Sequence, residues 1–400
     1  MEMRPVRRDE VAALQEVYQE VYVQPPERVG SWLTEETLAL SEAWAAFDSG
    51  RMASCLLIHP LTVWMGQTHV PMGGIGGVAT RAEYRRQGLS AGLLRHALQT
   101  MKEQGLVISS LFPFSFPFYR RLGWEVGGET LQYRLPVTAL APWLKYPGEV
   151  RRVLPQTDDL RPLEASYNQA AQSRNLGVVR PTKDWRKLFF GFDKDESNVY
   201  QWSPASGQPE GYLSYRFERP PGATERTLVL REFVGKTSGA WRGLLGFLAG
   251  HDAQAREILW PHAPVEDPLR FYLENPRIQV QLMPRFSFRI VDVQGALAVL
   301  SYPVNVRATL SLKIADPTAP WNDGIFQVEF NQGQARVKRA AGEPDLSLDI
   351  QAFSQIFDGF LSARQLATLG RLTARDRRVL PLVDSLFGGR IPYISDVDYF

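Results

Sequence analysis

Arg85-Arg86-Gln87-Gly88-Leu89-Ser90-Ala91 is the segment of this chain whose residue types are best suited to chemistry. It follows a β-prone run, GGIGGVAT, and precedes apolar residues at helical spacing, so it opens a helix. Backbone N–H groups there lack partners, and the helix dipole favours an anion. Gly88 has no Cβ to hold a bulky phosphate off the backbone, and Arg85 and Arg86 supply charge-assisted hydrogen bonds. Two arginines at a helix start oppose the dipole, a cost that a bound diphosphate removes. A charged helix start that merely contains glycine is the other reading.

The elements that must hold this loop follow from periodicity. Val11, Leu14, Val17, Tyr18 and Val21 predict an amphipathic helix that opens the fold and stops before Pro25 and Pro26. AWAAF, MASCLLI and HPLTVWMGQTHVPM predict an antiparallel meander with turns at Asp48–Gly50 and Met65–Gly66, and GGIGGVAT a further strand. After the loop, Leu89, Leu93, Leu94, Ala97, Leu98 and Met101 fall on one helical face. LVISSLF reads as a buried strand, FPFYRRL as a short helix and WEVGGETLQYRLP as a closing hairpin. Residues from about 150 to 287 repeat this order, and from FRIVDVQGAL the pattern changes to a smaller set of strands and helices. The fold class expected is α/β (α+β) with mixed sheets, in three domains: 1–145, 146–287 and 288–400. The tail IPYISDVDYF carries Ile391, Tyr393, Ile394, Tyr399 and Phe400, too apolar for a free end.

Composition narrows the function classes. Lysine plus arginine number 45 against 43 acidic residues, without a basic stripe, which argues against nucleic acid as partner. The single cysteine, Cys55, lies in an apolar run and reads as a core residue; its solitude agrees with a reducing cytoplasm. No signal-peptide pattern and no run of about 18 apolar residues occurs, so no membrane association is expected. His59, His69, His96, His251 and His262 lack metal-ligand spacing, so no metal is expected.

The order strand, RRQGLS, amphipathic helix resembles the acetyl-CoA pyrophosphate loop of the GCN5-related N-acetyltransferases, with Ser90 where that family has Gly or Ala. The resemblance implies that the pantetheine arm runs along Val78, Ala79 and Thr80, and that Phe114 and Ser115 lie beside the thioester. Phe118-Tyr119-Arg120-Arg121-Leu122-Gly123-Trp124 is similar to the family stretch whose tyrosine protonates the departing CoA thiolate. Over the whole chain, two acetyltransferase domains and a domain similar to sterol carrier protein resemble the Eis family of aminoglycoside and lysine acetyltransferases. That likeness implies acetyl-CoA as cosubstrate, a small or peptidic amine as acceptor, a homohexamer, and the terminal carboxylate of Phe400 as general base. An amine of pKa about 10.4 must lose a proton before it attacks a thioester, which gives such a base its task.

In the second domain Lys236-Thr237-Ser238-Gly239-Ala240-Trp241 stands where the loop belongs, with Trp241 in a place that suits a small residue. This domain is expected to be non-catalytic. Asp396 and Asp398 are expected either to attract a polycation or to lie in solvent. The rival functions are a CoA-binding regulator without turnover, an acyltransferase with another donor, and lipid carriage by the third domain.

Overall fold

The chain begins with a short strand rather than a helix: β1 (Glu2–Pro5) pairs antiparallel with β2 (Glu42–Asp48). Between them lie α1 (Val11–Tyr22), α2 (Pro26–Trp32) and α3 (Glu35–Leu40). α1 buries Leu14, Val17 and Tyr18, the predicted face, and ends on Val23 in left-handed backbone. The computed structural model describes residues 1–154, 157–181, 185, 197–205, 207–219 and 221–400. They form two compact units, one of residues 1–128, 285–392 and Phe400, the other of residues 129–284 and 393–399.

In the first unit the meander continues through β3 (Arg51–Met65) and β4 (Thr68–Thr80), which is one strand from THVPM through GGIGGVAT. α4 (Leu89–Glu103) then crosses over to β5 (Ile108–Leu111), which pairs parallel with β4. Leu89, Leu93, Leu94, Ala97, Leu98 and Met101 of α4 are buried, each larger side chain contributing about 2 kcal/mol of apolar burial. α5 (Phe116–Arg120) leads into β6 (Glu125–Pro136).

β6 corrects the predicted hairpin. WEVGGETLQYRLP is expected to be a hairpin, but from Glu125 on it lies within a single strand, which includes Gly127 and Gly128. Methyl groups on them would stand 2.3 Å from Phe288 Cβ and 2.4 Å from the Phe286 ring, so they are small in order to admit side chains of β13 (Gln279–Ile290). The C-terminal part of β13 pairs antiparallel with β5, from Ser287↔Leu111 to Ile290↔Ile108. Strand order in this unit is therefore β1-β2-β3-β4-β5-β13-β6. The expected boundary between residues 287 and 288 falls inside β13.

The rest of the first unit is α8 (Val293–Val299), β14 (Ala308–Ala315), β15 (Gly324–Asn331), β16 (Gln334–Ala340), β17 (Leu346–Asp349), α9 (Ile350–Phe357), α10 (Ala363–Thr368), β18 (Leu372–Ala374) and α11 (Leu380–Phe387). Its five strands run β16-β15-β14-β17-β18. Tyr302, Phe330, Phe353, Phe357 and Phe387 pack its core ring against ring.

The second unit holds β7 (Glu149–Arg152), α6 (Arg161–Gln172), β8 (Asn175–Val178), β9 (Asn198–Ser203), β10 (Gly211–Glu218), β11 (Thr227–Gly235), α7 (Ser238–Ala249) and β12 (Glu257–Pro264). The C-terminal part of β6 continues here in the order β6-β12-β11-β10-β9-β7. β11 and β12 are parallel across α7, as β4 and β5 are across α4.

Candidate active site

The N-terminus of α4 is open. Gly88 is its N-cap, with φ at 80° and no side-chain cap, and Arg86 also has positive φ, at 60°. Left-handed residues in such a turn make a concavity of backbone N–H groups suited to an anion. A methyl group on Gly88 would meet nothing within 4 Å, so the space above the helix start is free. Arg85, Arg86, Gln87 and Gly88 are exposed. The Arg85 Nε–H donates to Thr80 O at 3.3 Å, and Gln87 Nε2 to Glu83 O at 3.2 Å. Leu89 is buried in the core, where Ala91 also packs. The Ser90 hydroxyl lies 2.7 Å from Thr80 Oγ1, which in turn lies 2.7 Å from Ser54 Oγ; this chain ties the loop to β4 and β3.

β4 and β5 pair from Met72↔Ile108 to Ile75↔Leu111, and β4 then continues to Thr80 without β5. Peptide groups past Ile75 on that side are placed to pair with an extended amide-bearing ligand, as an added strand would be. Val78, Ala79 and Thr80 lie on this stretch. Their carbonyls also accept from Tyr22 (3.0 Å to Val78 O), Ser54 (2.8 Å to Ala79 O) and Arg85.

The segment after β5 carries the predicted acid. Ser115 is the N-cap of α5, and Tyr119 is buried on its inner face. Phe114, which is exposed, meets the Tyr119 ring edge-on at 5.2 Å, and Phe118 meets it at 5.0 Å. Arg120 holds α5 to the start of β6 through Glu125, at 2.7 Å.

Phe400 is seated on β4. A methyl group on Gly74 would lie 2.6 Å from the Phe400 ring, and one on Gly76 would lie 3.0 Å from both the Phe400 carbonyl carbon and His59 Nε2. The ring packs on Phe112 (5.2 Å between centroids) and faces His59 (6.4 Å). Phe112 and Tyr119 thus bracket one short segment, one touching the candidate base and the other being the candidate acid. Gly74 and Gly76 lie under the last residue, whereas the other two glycines of GGIGGVAT make room for Met101, at Gly73, and for the Tyr18 ring, at Gly77.

Sequence reasoning did not single out His59 beyond dismissing it as a metal ligand. It stands opposite Gly74 in the ladder, with Nδ1 2.7 Å from Ser41 Oγ. Burial pushes its pKa down to about 4, so the ring is neutral at neutral pH. Cys55 is buried, and desolvation pushes its thiol up to about 12, in keeping with a core residue. Among the described residues, no group of three or more His, Cys, Asp or Glu side chains is arranged to hold a metal ion.

In the second unit the helix start at residue 237 is closed. Thr237 Oγ1 accepts from Ala240 N at 3.1 Å, and Trp241 stacks on Phe233 at 4.4 Å while donating to Gly235 O at 3.2 Å. Asp398 neither faces solvent nor waits for a polycation. It is buried, with Arg180 Nε donating to its Oδ1 at 2.7 Å. Burial pushes its carboxyl up, against the opposing pull of Arg180. Asp396 lies 3.6 Å from His262 Nε2.

Known proteins share this organisation. Residues 2–127 and 176–290 each match an acetyltransferase (GNAT) domain, and residues 293–395 match a sterol carrier protein domain. The chain is 26% identical over 370 residues to an N-acetyltransferase of Streptomyces avermitilis, covering 88% of this chain and 87% of that one. It is 25% identical over 344 residues to the N-acetyltransferase Eis of Mycobacterium tuberculosis, covering 82% and 80%. A probable N-acyltransferase from Enterococcus faecalis superposes with a TM-score of 0.88 at 26% identity, over 100% of this chain and 99% of that one.

Proposed function

We propose, on the premise that this chain is an Eis-like N-acetyltransferase with two GNAT domains and a sterol carrier protein domain, that its first unit acetylates a primary amine by direct transfer from acetyl-CoA. The acceptor class is an aminoglycoside, polyamine or lysine-like amine. Arg85, Arg86 and the backbone N–H groups from Gln87 to Ala91 hold the pyrophosphate, and the stretch of β4 beyond its pairing with β5, at Val78–Thr80, holds the pantetheine amides. Phe114 and Ser115 border the thioester.

The Phe400 carboxylate takes a proton from the ammonium form of the acceptor. The freed nitrogen lone pair adds to the thioester carbon, the C–S bond breaks, and Tyr119 protonates the departing thiolate. The nitrogen sheds its second proton as the amide forms, which restores the tyrosine; one proton in total leaves to solvent through the carboxylate. Position contributes to the rate gain, since a preorganised pair of reactants is worth several kcal/mol.

The observation that supports this reading most is the seat of Phe400 on Gly74 and Gly76, just where β4 parts from β5. The second unit, its helix start closed, serves as a scaffold. A hexameric assembly in the cytoplasm belongs to the same reading, by likeness to the Eis family. A short peptide appended after Phe400 tests it: turnover with acetyl-CoA and amine is lost while acetyl-CoA affinity is kept. Full turnover of the extended chain removes the base assignment, and tight CoA binding without turnover on any amine in the native chain favours a regulator.

A further inference from the structure

We infer that Arg180, acting through Asp398, is a positioning residue for the terminal carboxylate. The inference rests on the reading of Phe400 as the base. Arg180 is buried and fully engaged: Nε and Nη2 donate to the two oxygens of Asp398 at 2.7 and 2.9 Å, and Nη1 and Nη2 donate to Glu232 at 3.0 and 2.6 Å. Its guanidinium lies 3.5 Å over the Tyr167 ring. Glu232 is held in turn by Tyr212 at 2.6 Å and by Ser395 at 2.5 Å. Two residues of the tail, Ser395 and Asp398, therefore close on one arginine–glutamate pair, and Asp398 N donates to Ser395 O at 3.0 Å across the turn between them.

Chain ends fray unless they are tied down. A reacting group displaced by about 1 Å loses up to 100-fold in rate. Asp398 precedes Phe400 by two residues, a span of about 7 Å at most, so fixing Asp398 restricts where the Phe400 carboxylate can reach. An apolar tail would dock through Tyr393, Ile394 and Val397 alone. Burying a guanidinium with two carboxylates adds little to stability over such packing, but it accepts one geometry only. Registry, rather than adhesion, is what this cluster supplies.

The test uses Asp398→Ala and Asp398→Asn in the full chain, which leave the Arg180–Glu232 pair intact, alongside Arg180→Ala and a chain lacking Phe400. Rates are measured with acetyl-CoA and the fastest acceptor among a polyamine, an aminoglycoside and a lysine peptide, and acetyl-CoA affinity by calorimetry. Asp398→Ala is expected to lower kcat about 10- to 100-fold with unchanged acetyl-CoA affinity, with added formate restoring part of the rate. In the chain lacking Phe400 the same substitution is expected to do nothing further. A rate within twofold of the parent for both Asp398 variants overturns the inference. So does an equal loss in the chains with and without Phe400, since the effect then does not pass through the tail. If deleting Phe400 leaves the rate whole, the base reading itself has failed, whatever Asp398 does.

Discussion

Two helix starts occupy the same place in two similarly ordered sheets, and they have been finished differently. At α4 the chain enters through Arg86 and Gly88, both left-handed, with nothing within 4 Å above the glycine. At α7 the entry is Thr237 in extended backbone, its hydroxyl on Ala240 N, with Trp241 folded onto Gly235 and Phe233. The first has no side-chain cap on its amide donors; the second satisfies one internally and covers the turn with an indole. One polar cap and one large ring separate an open helix start from a closed one.

Breaking the open start gives the largest effect. Gly88→Val puts a branched side chain where φ is 80° and where the pyrophosphate is read to sit, and acetyl-CoA affinity is expected to fall about 100-fold through loss of charge-assisted hydrogen bonds. Affinity within threefold of the parent, by calorimetry, would mean that the loop is not the diphosphate site. On the closed side, Thr237→Ala removes a cap and is expected to cost about 1 kcal/mol of stability in urea melts. Acetyl-CoA affinity stays level; a change there would make α7 a second cofactor site.

The smallest effect is one of pH. His59 is held down to about 4 by burial, whereas an unfolded chain protonates imidazole near 6.5. Between those values the unfolded state binds more protons, so stability falls as pH drops through the window. His59→Gln is expected to flatten part of that slope between pH 7 and 5, and an unchanged slope would count against a neutral, desolvated ring beside Phe400.

The local parts of the site were legible in the sequence. RRQGLS before an amphipathic run states a glycine-opened helix start, because its physics lies within a few residues and one helix face, and the structure has an uncapped helix start at Gly88. The apolar tail stated that it docks. Where it docks was not legible, since Gly74 and Gly76 make room for a ring more than 300 positions later in the chain. The hairpin expected over WEVGGETLQYRLP failed for the same reason, since Gly127 and Gly128 make room for Phe288 and Phe286, side chains remote in sequence. Asp398 was read by its charge, and only the fold supplies Arg180. β1 is four residues long, too short for any alternation to announce it.

The strand order β5-β13-β6 also has a history in time. β5 is complete at Leu111, but the strand that pairs with it at Ser287–Ile290 is made roughly 175 residues later, which at 5–20 residues per second is about 10–35 s of synthesis. Through that interval the edge of β5 away from β4 has no permanent neighbour, and the emerging chain presents a template for wrong pairing. The first unit is thus the first begun and among the last closed. A chain cut after Gly128 keeps the loop and Tyr119 but lacks the strand between β5 and β6, and its fate is set by aggregation rather than by catalysis.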